Sequence, residues 1–395
     1  MSQNAILPIL SLEERDRRHA NVRREMEAHE LDCLVLPQNT GEWDACQPDA
    51  RYLTSIGGGG TAVAAILPID GSPIAIIRDV RRTEFWKCAQ NWIAEVRGTV
   101  GGRWGEALVT AVRDLGCVRG RIGVAGLGGV LRFPDGTIIH GEFASLREAL
   151  PDVTFVNATD FMHDIRMIKS AEEIAMIERA QRCADAISEA VFASARSGKT
   201  EHEVYAEMMA AHIRNGGEVP AMLLIGIGEA PNQTQLLPTM RELKRNDILI
   251  CESEVKYGGY MAQSIEAICL GPPPPYYQRL YDASLECFHK LLAAIEPGVS
   301  YAVLIRQWEQ LMKLRGFCAT PTMGHGLGLG QDGPTTRPGG DGDGRVVDVG
   351  HCFVLKPWAT SPDGDRAIRA GNSIVVEESG ARRLGRLEMA FRQLD

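Results

Sequence analysis

Two extended segments joined by a glycine turn constrain the fold of this chain more than any other feature of its sequence. The segments run from Asp247 to Val255 and from Tyr260 to Leu270, and Tyr257-Gly258-Gly259 joins them. Apolar, β-branched runs bounded by such a turn are typical of a β-hairpin. Because side chains alternate between the faces of a strand, Glu252 and Glu254 are expected to project together from the first strand.

The two faces of this hairpin are expected to differ in chemistry. On the returning strand Gln263 shares a face with Ile265, whereas Glu266 is expected to point away from Gln263. Cys251 lies on the opposite face from Glu252, so we predict that it belongs to the core. These residues alone leave a second interpretation open, in which the strand is half-exposed and its acids are solvated.

Other segments in a fixed order give the hairpin its context. They are Asp49–Ile56, Arg166–Ile174, Met323–Gly330, Phe353–Pro357 and Ile368–Asn372, with the hairpin after the second of them. Together they resemble the pita-bread superfamily of creatinase, aminopeptidase P, prolidase and methionine aminopeptidase. The resemblance implies an α/β and α+β two-domain fold, with a creatinase-like amino-terminal α/β domain at residues 1–160 and a pita-bread catalytic-type domain at residues 161–395.

The resemblance also locates the metal-ligand positions of the family. Its peptidases hold two divalent metals with two Asp, one His and two Glu. These positions fall, in chain order, on Glu252, Gln263, His325, Lys356 and Gly371. Glutamine is a poor ligand for a divalent metal, and neither lysine nor glycine offers a side-chain oxygen, so three of the five ligands are lost.

One of these losses reverses a charge. An ammonium at Lys356 would repel a metal dication, and we expect it to pair with Glu252 or Glu254 instead. The hypothesis is that Lys356 supplies the positive charge internally, so that the protein uses no metal and no other cofactor. The alternative is a lysine whose tip reaches solvent.

Creatinase is the natural comparison, because it hydrolyses a C–N bond of a small guanidino compound without metal. Its acid/base His falls on Gln235, its hairpin Glu on Ile265 and its late Glu on Lys356, so the chain is not expected to be creatinase itself. The predicted catalytic residues are His325, Glu252, Lys356 and Glu254. The predicted substrate-binding residues are Gln235, Gln263, Arg369 and Asp332.

The side-chain chemistry of two of these residues indicates their expected roles. A histidine beside a carboxylate is a workable acid/base pair near neutral pH, which favours a site role for His325. Arg369 is suited to clamp a substrate carboxylate, and its alternative is an ordinary ion pair on a strand surface.

Composition excludes several classes of function. With 42 basic and 51 acidic residues in 395, the net charge is −9, which argues against non-specific binding of nucleic acid. Ten cysteines without a Cys-x-x-Cys pair, no signal peptide and no long apolar run predict a cytoplasmic protein that does not enter a membrane. The glycine-rich run Gly324–Gly330 lacks the G-x-G-x-x-G spacing of a dinucleotide site.

The remaining pattern predicts the elements around the site. A capping box at Ser11 and Glu14 predicts a helix to about Leu31. Further elements are expected as strands at 33–36, 61–68, 73–77 and 121–125, and as helices at 106–115, 142–150, 277–295 and 301–315. Thr200 with Glu203 predicts a second capping box. The resemblance suggests a homodimer in which residues near the amino terminus approach the neighbour's cleft, namely Trp43, Asp49 and Arg51. The alternative is that these three residues lie on ordinary loop surface.

Three functions remain open at this point. The first is a metal-independent hydrolase that cleaves a C–N bond of an amide or amidine in a small polar substrate, as creatinase does. The second is a pseudoenzyme or small-molecule binding protein on the same fold. The third is a divergent Xaa-Pro peptidase or a lyase that uses one metal held by Glu252, Glu254 and His325.

Overall fold

The computed structural model describes residues 7–38, 48–58, 61–130, 133–231, 237–331, 333–334 and 336–395. The chain divides into two compact units. The first comprises Met1–Glu172 with Leu329–Gln331, and the second comprises Glu173–Gly328 with Asp332–Asp395. Within the described ranges no helix is both long enough and apolar enough to span a bilayer.

The first unit alternates helices and strands. Its helices are α1 Leu12–Ala28, α2 Pro48–Thr54, α3 Thr83–Ala89, α4 Trp104–Asp114, α5 His140–Ala149 and α6 Thr159–Met167, with a short 3-10 helix at Val80–Arg82 before α3. Its strands are β1 Cys33–Leu36, β2 Val63–Pro68, β3 Ile74–Ile77, β4 Glu95–Gly98, β5 Gly120–Val124 and β6 Val153–Asn157.

These strands form one mixed six-stranded sheet in the order β4-β3-β2-β1-β5-β6. Strand β1 pairs antiparallel with β2 and parallel with β5, and β5 and β6 are parallel. The apolar faces of α4 and of the central strands pack into one core, which includes Val35, Ile76, Leu108, Val112 and Ile122. Burial of this apolar surface stabilises the unit.

Helix α1 is capped differently from the expectation. The Ser11 hydroxyl accepts from the backbone N–H of Glu14, as predicted, but the Glu14 carboxylate pairs with Arg17 and Arg18. The backbone N–H of Ser11 instead donates to Glu172 at 2.8 Å. The reciprocal half of the predicted capping box is therefore replaced by a carboxylate distant in sequence, and the helix ends at Ala28, three residues before the expected end.

The second unit carries the hairpin. Its helices are α7 Ala171–Ser194, which begins in the first unit, α8 Glu201–Arg214, α9 Pro275–Ala294 and α10 Tyr301–Leu314. Its strands are β7 Met222–Gly228, β8 Ile248–Tyr257, β9 Tyr260–Leu270, β10 Gly324–Gly326, β11 Cys352–Leu355, β12 Ala359–Thr360, β13 Ala367–Ile368, β14 Gly371–Glu377, β15 Gly380–Arg383 and β16 Phe391–Leu394. The capping box at Thr200 and Glu203 is confirmed.

The central sheet of this unit has the order β10-β11-β14-β9-β8-β7, with β15 on β14 and β16 on β9. The β8–β9 hairpin lies in its middle and turns through Gly258 and Gly259, whose φ angles are +57° and +85°. Positive φ at both central residues is the requirement of a type I′ turn, which glycine meets without a steric penalty. The hairpin prediction is confirmed.

The residues of the hairpin are almost completely buried. Every residue of β8 except Tyr257 is buried, including Glu252 at 4 % exposure and the fully buried Glu254. The interpretation of β8 as a half-exposed strand with solvated acids is therefore wrong. Cys251 is buried on the other face, as expected, and burial raises the pKa of its thiol to about 12.

Candidate functional site

The hairpin register assembles the first part of the candidate site. Glu254 lies directly opposite Gln263, and Glu252 lies opposite Ile265, so these four side chains share one face. The Gln263 amide N–H donates to Glu252. Glu266 lies opposite Cys251 and therefore on the other face, as predicted.

Lys356 follows strand β11 and directs its ammonium into this face. Its Nζ lies 2.7 Å from Glu252 Oε1, 3.2 Å from Gln263 Oε1 and 3.3 Å from His325 Nε2. Its backbone N–H donates to the Met323 carbonyl at 2.8 Å, which fixes the start of the side chain. The residue is only 4 % exposed, so the alternative of a lysine tip in solvent is wrong.

His325 lies in the middle of strand β10 and is buried beside this ammonium. Its Nδ1 is 3.1 Å from the Gly326 carbonyl oxygen, which can only accept a hydrogen bond. The proton is therefore assigned to Nδ1, and Nε2 holds the lone pair that accepts from Lys356. This hydrogen-bond pattern corresponds to a neutral imidazole.

Arg369 approaches Glu252 from the other side. Its Nη2 donates to Glu252 Oε2, and its guanidinium carbon lies 3.9 Å from the centre of the Trp358 ring. At 1 % exposure it is not an ion pair on a strand surface, so that alternative is wrong. Complete burial lowers the pKa of Arg369 from its ordinary value, yet the guanidinium stays protonated because that value is so high and a carboxylate contacts it.

A buried serine ties the two cationic segments together. The Ser284 hydroxyl of α9 donates to the Pro357 carbonyl at 2.5 Å and accepts from the Ala370 N–H at 2.9 Å. Each of these residues follows one of the two cations directly in the chain, so helix α9 fixes both segments. Nothing in the sequence pattern indicated Ser284, whereas Trp358 lies only two residues after Lys356 in the chain.

The described residues of the site include two acidic and two basic side chains, and all four are buried. They are Glu252, Glu254, Lys356 and Arg369. Glu252 accepts from both cations. Buried charges are tolerated when they are paired and hydrogen-bonded, and Glu252 meets this condition through its two cationic partners.

Gly371, the fifth of the carried-over ligand positions, has no room for a side chain. A β-carbon built there would overlap the end of Ile265 and lie 2.7 Å from the Lys356 β-carbon. The close approach of β14 to this lysine therefore requires glycine. Within the described residues, no group of three or more His, Cys, Asp or Glu side chains is arranged to hold a metal ion.

The remaining predicted residues fall into two groups. Gln235, Asp332 and Trp43 lie outside the described residues. Asp49 and Arg51 lie in helix α2 rather than on loop surface; Asp49 pairs with Arg166, and Arg51 is buried. The expected homodimer stays a prediction.

Comparison with known proteins decides the family. A model of metallopeptidase family M24 matches residues 175–378, and a model of the creatinase/prolidase N-terminal domain matches residues 18–168. The chain belongs to metallopeptidase family M24. The predicted two-domain creatinase and prolidase fold is thereby confirmed.

Several relatives of this M24 protein are peptidases by name. The Xaa-Pro dipeptidase of Pyrococcus furiosus is 25 % identical over 258 residues, which cover 64 % of this chain and 73 % of that protein. The uncharacterized peptidase YqhT of Bacillus subtilis is 22 % identical over 358 residues, which cover 89 % and 93 %. The solved Xaa-Pro dipeptidase from Bacillus anthracis has a TM-score of 0.79 at 19 % identity and covers 96 % of this chain and 100 % of that one. At that identity the structural likeness shows the fold alone.

Proposed function

We propose that this M24 protein is a metal-independent hydrolase that cleaves a C–N bond of an amide or amidine type in a small polar substrate. The observation that carries the proposal is the position of the Lys356 ammonium, within hydrogen-bond distance of Glu252, Gln263 and His325. By resemblance, those three residues occupy positions where family peptidases have metal ligands. The lysine thus supplies a fixed positive charge at a place where a metal would act.

Electrostatics supports this assignment. Two unit charges about 4 Å apart interact by about 4 kcal/mol at an effective dielectric constant of 20, so a dication that close to an ammonium is disfavoured by about 8 kcal/mol. Gln263 and Gly371 stand where the family has two further anionic ligands, and neither residue carries a negative charge. The residues present therefore do not fit the two-metal centre of the family, and no step of the proposed reaction uses a metal.

The same residues have the properties that C–N hydrolysis needs. When the substrate is an amide, an attacking water loses a proton, the carbonyl oxygen gains negative charge, and the nitrogen leaves with a proton. His325 Nε2 has the lone pair that takes the water proton and returns it to the nitrogen. Lys356 supplies the positive charge that stabilises the developing oxyanion.

One rearrangement is part of this mechanism. The Nε2 lone pair of His325 accepts from Lys356 in the resting site, so the water or substrate must replace that hydrogen bond before the histidine can act. The released ammonium then points at the incoming oxygen. The buried Glu252 carboxylate, 2.7 Å from the Lys356 Nζ, holds the lysine side chain in place during this exchange.

Turnover measurements test the proposal directly. Small amides, amidines and Xaa-Pro dipeptides would be offered to the wild-type protein, to His325→Gln and to the exposed-lysine control Lys290→Met, each with a chelator and with added manganese. The proposal expects turnover that the chelator leaves unchanged, that Lys290→Met retains, and that His325→Gln loses by about 10²- to 10⁴-fold. Turnover that appears only with manganese contradicts it, and absence of turnover on all three substrate classes favours the binding-protein alternative.

The names of the relatives favour a second candidate, a divergent Xaa-Pro peptidase with an altered metal site. It would need one metal held by Glu252, Glu254 and His325, three described residues that the structure does not arrange as a metal-binding group. The same experiment separates the two candidates, because this one requires cleavage of Xaa-Pro dipeptides that is lost on chelation.

A further inference from the structure

The stacked pair Arg369 and Trp358 carries three buried hydrogen-bond donors that have no partner. They are Nε and Nη1 of the Arg369 guanidinium and Nε1 of the Trp358 indole. Both residues are buried, and the guanidinium lies 3.9 Å from the centre of the Trp358 ring. A buried donor left unpaired destabilises the protein, so three of them on two touching residues require an explanation.

The neighbouring contacts limit what the missing partner can be. Arg369 Nη2 already donates to Glu252, and one face of the guanidinium lies against the indole. The in-plane edges that carry Nε and Nη1 remain. All three unpaired groups are donors, so the missing partner must be an acceptor, which excludes a cation such as an ammonium group.

The geometry of the donors selects among acceptors. Nε and Nη1 lie on different edges of the guanidinium, and each of them forms, with Nη2, a planar fork that matches the two oxygens of a carboxylate. Its positive charge and the apolar indole beside it favour an anion that is removed from water, because an ion pair gains strength where the dielectric constant is low. A carboxylate satisfies both conditions, whereas a neutral amide oxygen satisfies only the hydrogen bonding.

We propose that Arg369 and Trp358 form a carboxylate-binding subsite, in which a ligand carboxylate accepts from the guanidinium edges and from the indole N–H. As a statement about the substrate, this rests on the proposed function: the substrate carries a carboxylate, and that group is held at Arg369. Glu252 lies between Arg369 and Lys356, so a C–N bond a few atoms from the carboxylate reaches His325 and Lys356. Trp358 is then a specificity-determining residue of the site.

Binding of acetate to the protein as purified tests the subsite without any need for turnover. Titration calorimetry would compare sodium acetate with neutral acetamide, with sodium chloride matching the ionic strength in every cell. Trp358→Phe keeps an aromatic ring over Arg369 and removes the indole N–H. Trp92→Phe is the matched control, because its indole donates to the Leu10 carbonyl in the first unit.

The subsite predicts saturable binding of acetate and none of acetamide by the wild-type protein. Because Trp358→Phe loses one hydrogen bond to the anion, its Kd for acetate should be about tenfold larger than that of the wild type. The Kd of Trp92→Phe should be unchanged. Circular dichroism of each variant confirms that it is folded, and Arg369→Lys, which keeps the charge but loses the fork, is a second variant expected to bind weakly. No acetate binding by the wild type, or equal binding by Trp358→Phe, overturns the inference.

The subsite and the proposed hydrolase can fail separately. Acetate binding that depends on Trp358, without turnover of any substrate, leaves the subsite in place and removes the hydrolase. Metal-independent turnover without acetate binding leaves the hydrolase in place and removes the subsite, because the substrate is then held elsewhere.

Discussion

Replacing Lys356 by methionine is the sharpest perturbation of the site, because it removes the charge and keeps most of the side-chain volume. The ammonium donates to the Glu252 carboxylate at 2.7 Å, and also contacts Gln263 and His325. Breaking a buried ion pair by removing one partner costs about 3–5 kcal/mol. Arg369 still compensates Glu252, so we expect the lower end, about 3 kcal/mol.

Thermal unfolding gives the measurement. For a unit of this size about 3 kcal/mol corresponds to a decrease of roughly 6–12 °C in the unfolding midpoint of the second unit. The control Lys290→Met removes a lysine that is 63 % exposed and pairs with Glu286 at 2.8 Å, and such pairs contribute at most about 1 kcal/mol. Unchanged or increased stability of Lys356→Met would refute the view that Lys356 is held there as a paired cation.

A double-mutant cycle isolates the ion pair itself. Glu252→Gln would be measured in the wild-type and Lys356→Met backgrounds, and residues in direct contact show coupling of about 0.5–3 kcal/mol. We expect a favourable coupling in this range. A coupling of zero would mean that the loss in Lys356→Met came from packing.

Three further predictions follow from buried groups around the hairpin. Burial raises the pKa of Glu266 from 4.5 to about 7, so the contribution of this carboxyl group to stability is present below pH 4.5 and is lost as the pH rises towards 7. Glu266→Gln should therefore stabilise the protein by about 2 kcal/mol at pH 8 and by little at pH 4. Urea unfolding at the two pH values measures this difference. Gly371→Ala should cost about 1–3 kcal/mol by overpacking against Lys356, and normal stability would mean that the strands separate more easily than the structure implies. Ser284→Ala leaves a buried carbonyl and a buried N–H without their partner and should cost about 2 kcal/mol, with lower turnover because both cationic segments loosen.

Local sequence pattern predicted the hairpin well because its determinants are local. The turn glycines, the alternation of faces and the burial of Cys251 all depend on residues close in sequence. Pattern could not decide whether Lys356 pairs with Glu252 or Glu254, since both acids occupy the same face of one strand. That choice depends on how β11 and β14 are placed beside the hairpin, which no local signal contains.

Contacts between distant residues explain the other differences. The predicted capping box of α1 is half replaced, because Glu172 lies 161 residues from Ser11 in the chain. The resemblance identified Gly371 as a lost ligand, but only the structure gives the reason, which is the approach of Lys356. The sequence likewise indicated that Arg369 can bind a carboxylate. It could not indicate the stacking of Arg369 on Trp358, because that contact depends on the tertiary structure.

Metal content tests the central claim most directly. Wild-type protein and Lys356→Glu would be purified without added metal, incubated with manganese, zinc or iron, desalted, and measured for bound metal per chain by elemental mass spectrometry. An internal cation at Lys356 predicts no stoichiometric metal in the wild type and increased metal affinity in Lys356→Glu. One metal bound per wild-type chain, or an affinity that does not change in Lys356→Glu, would contradict it.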